Sequence, residues 1–464
     1  MQRHESYKPS GVKWIGDVPA HWDVRPGFTC FDENKDRNKK LTEKTVLSLS
    51  YGRIVVKPEE KLTGLVPESF DTYQLIKPGD IVIRTTDLQN DKTSLRVGLA
   101  KDKGMITSAY LGLRCKPEIN PEYVFRLLES YDALKVFYGM GSGLRQNIDF
   151  WDFKRLPIPL PTRAEQDRIV IFIDQKAAEI NAAIAKKLRL IELLNEQKKI
   201  FVETLVCRGL GSAVPTRNSG IDSVGTIPEH WSIKKLGHLA NVVRGASPRP
   251  AGDPRYFSSE GGVSWVTVAE VTKDESLYLR ETKESLTPIG ARQSQEFRRG
   301  TVIFTNSGAT LGVPKILDID CCANDGIVAL KRLSNEVNKE FLYYFLSTTT
   351  ERLREEMKQG GGQPNLNTGI VKSIAVPLPP TQEQEEIVQC INLLLGKQQT
   401  LLRQTRTSIE QLQRLKDTLV ADVVAGKLKA TLNKPSKFPA RTRKTPFFGF
   451  CGLLRRPFGP FAGP

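Results

Sequence analysis

Apolar residues return at helical spacing along two long stretches of the chain. Between Arg163 and Cys207 there is neither Pro nor Gly. Ile169, Ile173, Ile180, Ile184, Ile191, Leu194, Phe201 and Leu205 follow one another there in steps of 3, 4 or 7. That spacing is the seam of a coiled coil. Thr162, with Glu165 three positions on, reads as a capping box, and Gly209 reads as the C-cap. A second stretch opens at Thr381, read as its cap with Gln384 at N3, and closes at Gly426. It carries Ile387, Ile391, Leu394, Leu401, Leu412, Leu415 and Leu419, and Gly396 interrupts it at a cost of about 1 kcal/mol relative to Ala. Two single-stripe helices of matched length predict an antiparallel coiled coil within the chain, in preference to helices of an ordinary bundle.

Elsewhere the period changes. Short β-branched runs occupy 44–50, 53–56, 80–86 and 105–115, and again 263–271, 300–306 and 326–333. Turn signals such as KPGD (77–80) and NSG (306–308) separate them. One helix near the end of each body is expected, over 122–137 and 339–357. The fold class is therefore α+β, with two mixed α/β bodies separated by the long helices. The Pro runs LPIPLP (156–161) and VPLPP (376–380) cannot be helix interior and read as stiff extended hinges.

The chain also repeats itself. SGVKWIGDVPAHWDV (10–24) returns as SGIDSVGTIPEHWSI (219–233), 209 positions later. IPLPTRAEQDRIV (158–170) returns as VPLPPTQEQEEIV (376–388), 218 positions later, and GSGLRQNI (141–148) matches GGGQPNL (360–366) at that same offset. Two copies of one unit follow: a lead-in segment (1–22), a body (23–155), a hinge and central long helix (156–210), a second lead-in (211–231), a second body (232–372), and a hinge and C-terminal long helix (373–430). Residues 431–464, with seven Lys and Arg, no acid and many Pro, Gly and Phe, read as a basic disordered tail. A duplicated chain mimics a two-fold dimer, the symmetry with which DNA readers contact two half-sites.

Composition narrows the class. A length of 464 residues calls for two or three domains. With 39% hydrophobic and 26% charged residues the chain has the balance of a soluble globular protein. No apolar run is long enough for a membrane span and the start lacks a signal-peptide core, so a cytoplasmic location is expected. Lys and Arg total 68 against 52 Asp and Glu, a net charge of +16 that favours a polyanionic partner. The seven cysteines form no CxxC and the four histidines no paired metal spacing, so neither a disulfide framework nor a metal site is expected. There is no P-loop, and Asp253-Pro254-Arg255-Tyr256 departs from an adenine-methyltransferase motif at Arg255. His21 and His230 recur in the same PxHW turn with no partner carboxylate nearby, which favours a structural role over a catalytic one.

The doubled order of these motifs resembles the specificity subunit of type I restriction–modification systems. The resemblance rests on Gly16–Trp22 and Gly225–Trp231, on the Gly-rich turns with PLPxxxEQ hinges at Gly143–Gln166 and Gly361–Gln384, and on the helices that follow. VRGASPRP (243–250), FTNSGATLGVPKI (304–316) and CANDGIVAL (322–330) extend it. It implies that each body is a target recognition domain reading one half of a bipartite, asymmetric site in double-stranded DNA. The helices would set the spacer and dock two methyltransferase subunits. S-adenosylmethionine, ATP and Mg would then belong to the methyltransferase and restriction subunits, with no cofactor or metal in this chain and no catalysis by it. Residue chemistry nominates DNA contacts: Tyr51, Arg53, Arg84, Thr86, Arg145 and Gln146 in the first body, and Arg244, Ser247, Arg249, Ser307, Thr310, Asn324 and Gln363 in the second. The rival readings are a single-chain DNA-modification enzyme and a coiled-coil nucleic-acid-binding scaffold.

Overall fold

The computed structural model describes residues 2–58, 70–86, 88, 95–140, 147–211, 214–221, 224–258, 261–358 and 366–432. Helices α1 (Pro121–Ala133), α2 (Phe150–Phe153), α3 (Arg163–Arg208), α4 (Leu236–Leu239), α5 (Val268–Thr272), α6 (Pro288–Arg292), α7 (Lys339–Lys358), α8 (Thr368–Ser373) and α9 (Thr381–Val424) alternate with short strands. The chain divides into two units: Met1–Asn181 with Leu412–Pro464, and Ala182–Gln411. Each unit thus holds one body and a part of both long helices.

The two long helices form where the apolar stripes place them and run antiparallel within each unit. In the first unit Ile169 and Ile173 of α3 share a core with Leu419, Val423 and Val424 of α9, and Lys416 Nζ donates to Asn181 Oδ1 at 3.4 Å. In the second, Val202, Leu205 and Val206 share a core with Ile387, Val388 and Ile391, and Gln398 Nε2 donates to the carbonyl of Leu194. Numbers that rise along α3 meet numbers that fall along α9. The seam of α9 differs from the expectation: Leu401 and Leu415 are exposed, and Thr405 is buried instead. Gln398 and Thr405 occupy seam positions, so counting apolar residues alone drifts off the true stripe.

In the first unit the strands Phe31–Glu33, Tyr110–Cys115, Ile81–Arg84 and Val97–Leu99 lie in that spatial order in one antiparallel sheet. The expected run 105–115 is two strands, Gly104–Ile106 and Tyr110–Cys115, separated by a turn. Tyr123, Val124, Leu127 and Leu128 of α1 are buried in the core this sheet shares. In the second unit two five-stranded sheets pack over Val266, Leu279, Phe297, Ile303, Cys321 and Ile327. One sheet runs Asn241–Arg244, Ile327–Lys331, Val302–Thr305, Pro314–Leu317, Tyr278–Leu279. The run 263–271 is a strand only over Val263–Val266; from Val268 on it is α5, with Thr267 at the N-cap.

The repeated motifs build the same frame twice. Tyr7–Pro9 pairs with Asp17–Pro19, and Thr216–Asn218 with Thr226–Pro228. Gly16 (φ +73°) and Gly225 (φ +71°) turn these hairpins in the left-handed region that glycine adopts without strain. The Pro runs are extended, as expected, and pair as strands: Pro157–Leu160 pairs with Asp23–Pro26, and Ala375–Leu378 with Ser232–Lys235. Pro fits because each strand sits at the edge of a two-stranded ribbon. Gly209 (φ +74°) and Gly426 (φ +77°) close α3 and α9 as expected. At Gly426 a Cβ would lie 2.4 Å from Pro19 Cδ, so the end of α9 is fitted closely to the first lead-in hairpin.

Candidate nucleic-acid interface

The Glu–Gln pair that opens each long helix fixes the frame. Gln166 and Gln384 are buried, at 1% and 0% exposure. Gln166 accepts from the Asn120 amide at 2.8 Å and donates to the carbonyl of Pro161 at 3.0 Å. Gln384 accepts from the Asn338 amide at 2.8 Å and donates to the carbonyls of Glu336 at 2.8 Å and Pro379 at 2.9 Å. Asn120 caps α1 with its side chain, and Asn338 does the same for the amides of Glu340 and Phe341 at the start of α7. The Thr381–Gln384 capping expectation is thereby corrected. Thr381 lies inside α9, Gln384 N donates to the Pro380 carbonyl, and the Gln384 side chain serves another element.

The preceding glutamates correct a second expectation. His21 Nε2 lies 3.1 Å from Glu165 Oε2, and His230 Nε2 lies 2.8 Å from Glu383 Oε2. Both histidines therefore have a carboxylate partner, supplied by the helix start 144 and 153 positions downstream. The contact ties the PxHW turn to the helix and supports the structural reading of the motif. Trp22 and Trp231 beside them are buried at 0% and 1% exposure.

On this frame the strand ends of the second body gather most of its nominated residues. Asp325, which the residue-type reading missed, is the hub. Its carbonyl accepts from Arg244 Nε at 2.6 Å and from Asn306 Nδ2 at 3.1 Å, and its carboxylate accepts from Ser247 Oγ at 2.7 Å. Arg249 Nη2 stands 3.7 Å from the same carboxylate. Arg244 and Arg249 are exposed, so two guanidinium groups face solvent over one aspartate and the local balance stays positive. Gly245 permits the crossing: a Cβ there would lie 2.1 Å from the Asn324 carbonyl. Ser307, Thr310 and Asn324 are half-buried beside it. The side-chain oxygens of Asn306 and Asn324 are buried with no hydrogen-bond partner among the described residues. Such acceptors are costly unless a further donor reaches them.

In the first body, Tyr51 stands at the tip of the hairpin Leu47–Ser50/Arg53–Val56, 90% exposed. Tyr51 (φ +49°) and Gly52 (φ +73°) have the paired positive φ of a type I′ turn, the geometry that matches strand twist. Arg53 is exposed next to it. Arg84 ends the strand Ile81–Arg84 and Thr86 follows it, and the side chain that organises them is Arg96, another residue sequence reasoning missed. Arg96 is fully buried, and its Nη1 donates to the carbonyls of Thr86 at 2.8 Å and Arg84 at 3.3 Å. Its guanidinium also stands 5.5 Å from the Tyr138 ring centre. A Cβ on Gly52 would touch Leu95, so the hairpin tip and the 84–86 loop share one neighbourhood.

The two bodies present these loops in the same way. The amide of Ile148 donates to the Thr85 carbonyl at 3.0 Å, and the amide of Leu366, 218 positions on, donates to the Asn306 carbonyl at 2.7 Å. In each case the chain leaving the Gly-rich segment is fastened to the loop after a central strand. Arg145, Gln146 and Gln363 lie in those segments, outside the described residues.

The frame and the paired strand-end loops define a class: a duplicated, basic, mixed α/β protein whose two bodies carry unlike polar loops on a common scaffold. Comparison with known proteins shows what it is similar to. Residues 228–411 match the type I restriction modification DNA specificity domain. A putative type I restriction enzyme MjaX specificity subunit of Methanocaldococcus jannaschii is 23% identical over 433 residues, covering 89% of this chain and 95% of that one. The HsdS subunit from Thermoanaerobacter tengcongensis has a similar fold, with a TM-score of 0.55, 17% identity, and coverage of 89% of this chain and 98% of that one. A chain from a structure on complex assembly and conformational transition of the type I R-M system gives a TM-score of 0.59 at 19% identity, over 89% and 99% of the two chains. The chain is thus similar to type I restriction–modification specificity subunits over most of its length, and residues 228–411 carry the match to their DNA specificity domain. Among the described residues no helix is long and apolar enough to cross a membrane.

Proposed function

We propose that this chain is the non-catalytic reader of a cytoplasmic type I restriction–modification complex. Each body reads one half of a bipartite, asymmetric site in double-stranded DNA. The carrying observation is the equivalent fastening of Ile148 to Thr85 and Leu366 to Asn306, which presents unlike side chains on the same scaffold. Arg84 and Thr86 in one body, and Arg244, Ser247, Arg249, Ser307, Thr310 and Asn324 in the other, follow or adjoin those fastened loops. Tyr51 and Arg53 extend the first surface. Arg145, Gln146 and Gln363 complete the set from the neighbouring segments. The helices α3 and α9, continuous from one unit into the other, set the spacer and dock two methyltransferase subunits. S-adenosylmethionine is bound by those subunits, and ATP and Mg by the restriction subunits.

The test is to map N6-methyladenine across the host genome with and without this gene. One bipartite motif with unlike halves should lose its methylation when the gene is deleted. Arg244→Ala should then separate two roles. A phosphate contact weakens all sequences and lowers the salt slope by about 1. A base contact relaxes one position of one half-site by ~1–3 kcal/mol. Methyl transfer by the purified chain alone, without added subunits, refutes the proposal.

A further inference from the structure

The two lead-in segments are copies, yet their histidine–glutamate contacts differ. In the second unit Glu383 accepts from His230 Nε2 at 2.8 Å, and both its oxygens lie 3.2 Å from Trp231 Nε1. In the first unit both oxygens of Glu165 are turned to His21 Nε2, at 3.1 and 3.4 Å. Trp22 Nε1 is buried there with no hydrogen-bond partner among the described residues. The first unit also has a side chain at this place that joins the group: His4. Its ring centre lies 5.6 Å from that of His21 and 5.9 Å from that of Trp22. One ring nitrogen from each histidine and one Glu165 oxygen all lie within 4.8 Å of one another.

We propose that His4, His21 and Glu165 form a binding site for one borderline divalent transition-metal ion, Zn²⁺ by preference, with no counterpart among the described residues of the second unit. Two imidazole nitrogens and a carboxylate oxygen are the donor set of three-ligand zinc sites, which leave a fourth position for water. Hard ions such as Mg²⁺ and Ca²⁺ prefer oxygen donors throughout. Zinc bonds of roughly 2.0–2.1 Å require the donor atoms to close in slightly from their present spacing. A rotation of the His4 side chain supplies that, because His4 lies in the short segment before Tyr7–Pro9. The ion takes the place of the hydrogen between His21 Nε2 and Glu165, and the neutral His21 ring then carries its one N–H on Nδ1. One Glu165 oxygen is then free to accept from Trp22 Nε1, the bond Glu383 already makes to Trp231. Such an outer contact orients a ligating carboxylate.

The site would clip three segments together: the N-terminal residues, the PxHW turn and the start of α3. The same N-terminal residues are already fastened to the chain after α9. The Lys429 amide donates to the Gln2 carbonyl at 2.9 Å, and Tyr7 Oη donates to the Lys427 carbonyl at 3.0 Å.

The test uses the untagged full chain, stripped with a chelator and titrated with Co²⁺ as an absorbing stand-in for zinc. One equivalent should bind with visible d–d bands that added Zn²⁺ abolishes. His4→Phe keeps a ring against His21 and Trp22 but has no ligand nitrogen, and should bind at least about tenfold more weakly. His230→Phe should bind like the natural chain. As a second readout on the unaltered sequence with ¹⁵N-labelled Trp, Zn²⁺ should move the Trp22 indole N–H resonance and leave that of Trp231 in place. The proposal is overturned by any of four results: no stoichiometric binding, equal binding by His4→Phe, a sulfur-to-cobalt charge-transfer band marking cysteine ligation, or an unmoved Trp22 resonance.

Discussion

Replacing Gln384 with Leu tests whether the helix-start glutamine holds the second unit together. The side chain is fully buried and makes three hydrogen bonds, to the Asn338 amide and to the carbonyls of Glu336 and Pro379. Each such bond contributes about 0.5–1.5 kcal/mol net, and leucine leaves all three backbone partners without it, so a loss of ~2–4 kcal/mol is expected. Gln166→Leu removes two bonds in the first unit and should cost less, about 1–3 kcal/mol. Gln384→Glu keeps an acceptor for Asn338 but turns a carboxylate oxygen towards two carbonyls, so its loss should exceed that of leucine at neutral pH and shrink on acidification. Two units need not unfold together, so urea titration should be combined with hydrogen exchange read by mass spectrometry. Exchange should rise in α7 and the strands Ser232–Lys235 and Ala375–Leu378 for Gln384→Leu, and in α1 and its neighbours for Gln166→Leu. A Gln384→Leu loss below about 1 kcal/mol, or faster exchange confined to the first unit, refutes the assignment.

Other outcomes follow from the same geometry. Gly426→Ala should cost more than Gly11→Ala: both have positive φ, which costs about 1–2 kcal/mol for alanine, but only at Gly426 does the new Cβ meet Pro19. Equal losses in urea titrations would show that packing at Gly426 contributes nothing. Acid should destabilise both units. The hydrogen bond from Arg114 holds the Asp36 carboxyl below its ordinary value, and that from Lys315 does the same for Asp274. A carboxyl with a depressed folded pKa contributes stability above its unfolded value, about pH 4, and that contribution fades as pH falls further. Urea midpoints measured from pH 7 to pH 3 should therefore decline, and Lys315→Met should flatten the decline in the second unit. Burial pushes the thiols of Cys115, Cys207 and Cys321 up to about 12, so at pH 8 they should stay silent to a thiol reagent until denaturant is added.

Periodicity and repetition are local properties, and what they encode was legible in the chain itself. The step of 3 and 4 from Ile169 to Leu205 gives α3, which ends at Arg208 before Gly209. The offsets of 209 and 218 give two copies of one frame, and the unlike sequences between them give unlike loops. Partners far apart in sequence carry no such mark. Glu165 and Gln166 look like the first turn of a helix, and only folding brings the first to His21 and the second to Asn120. Asp325 reads as a turn residue until three strand ends converge on it. Gln398 and Thr405 look like breaks in the α9 stripe until α3 lies against them. A side chain's conformational preference acts over a few residues, whereas its burial and hydrogen bonding depend on elements that meet only once the core has formed.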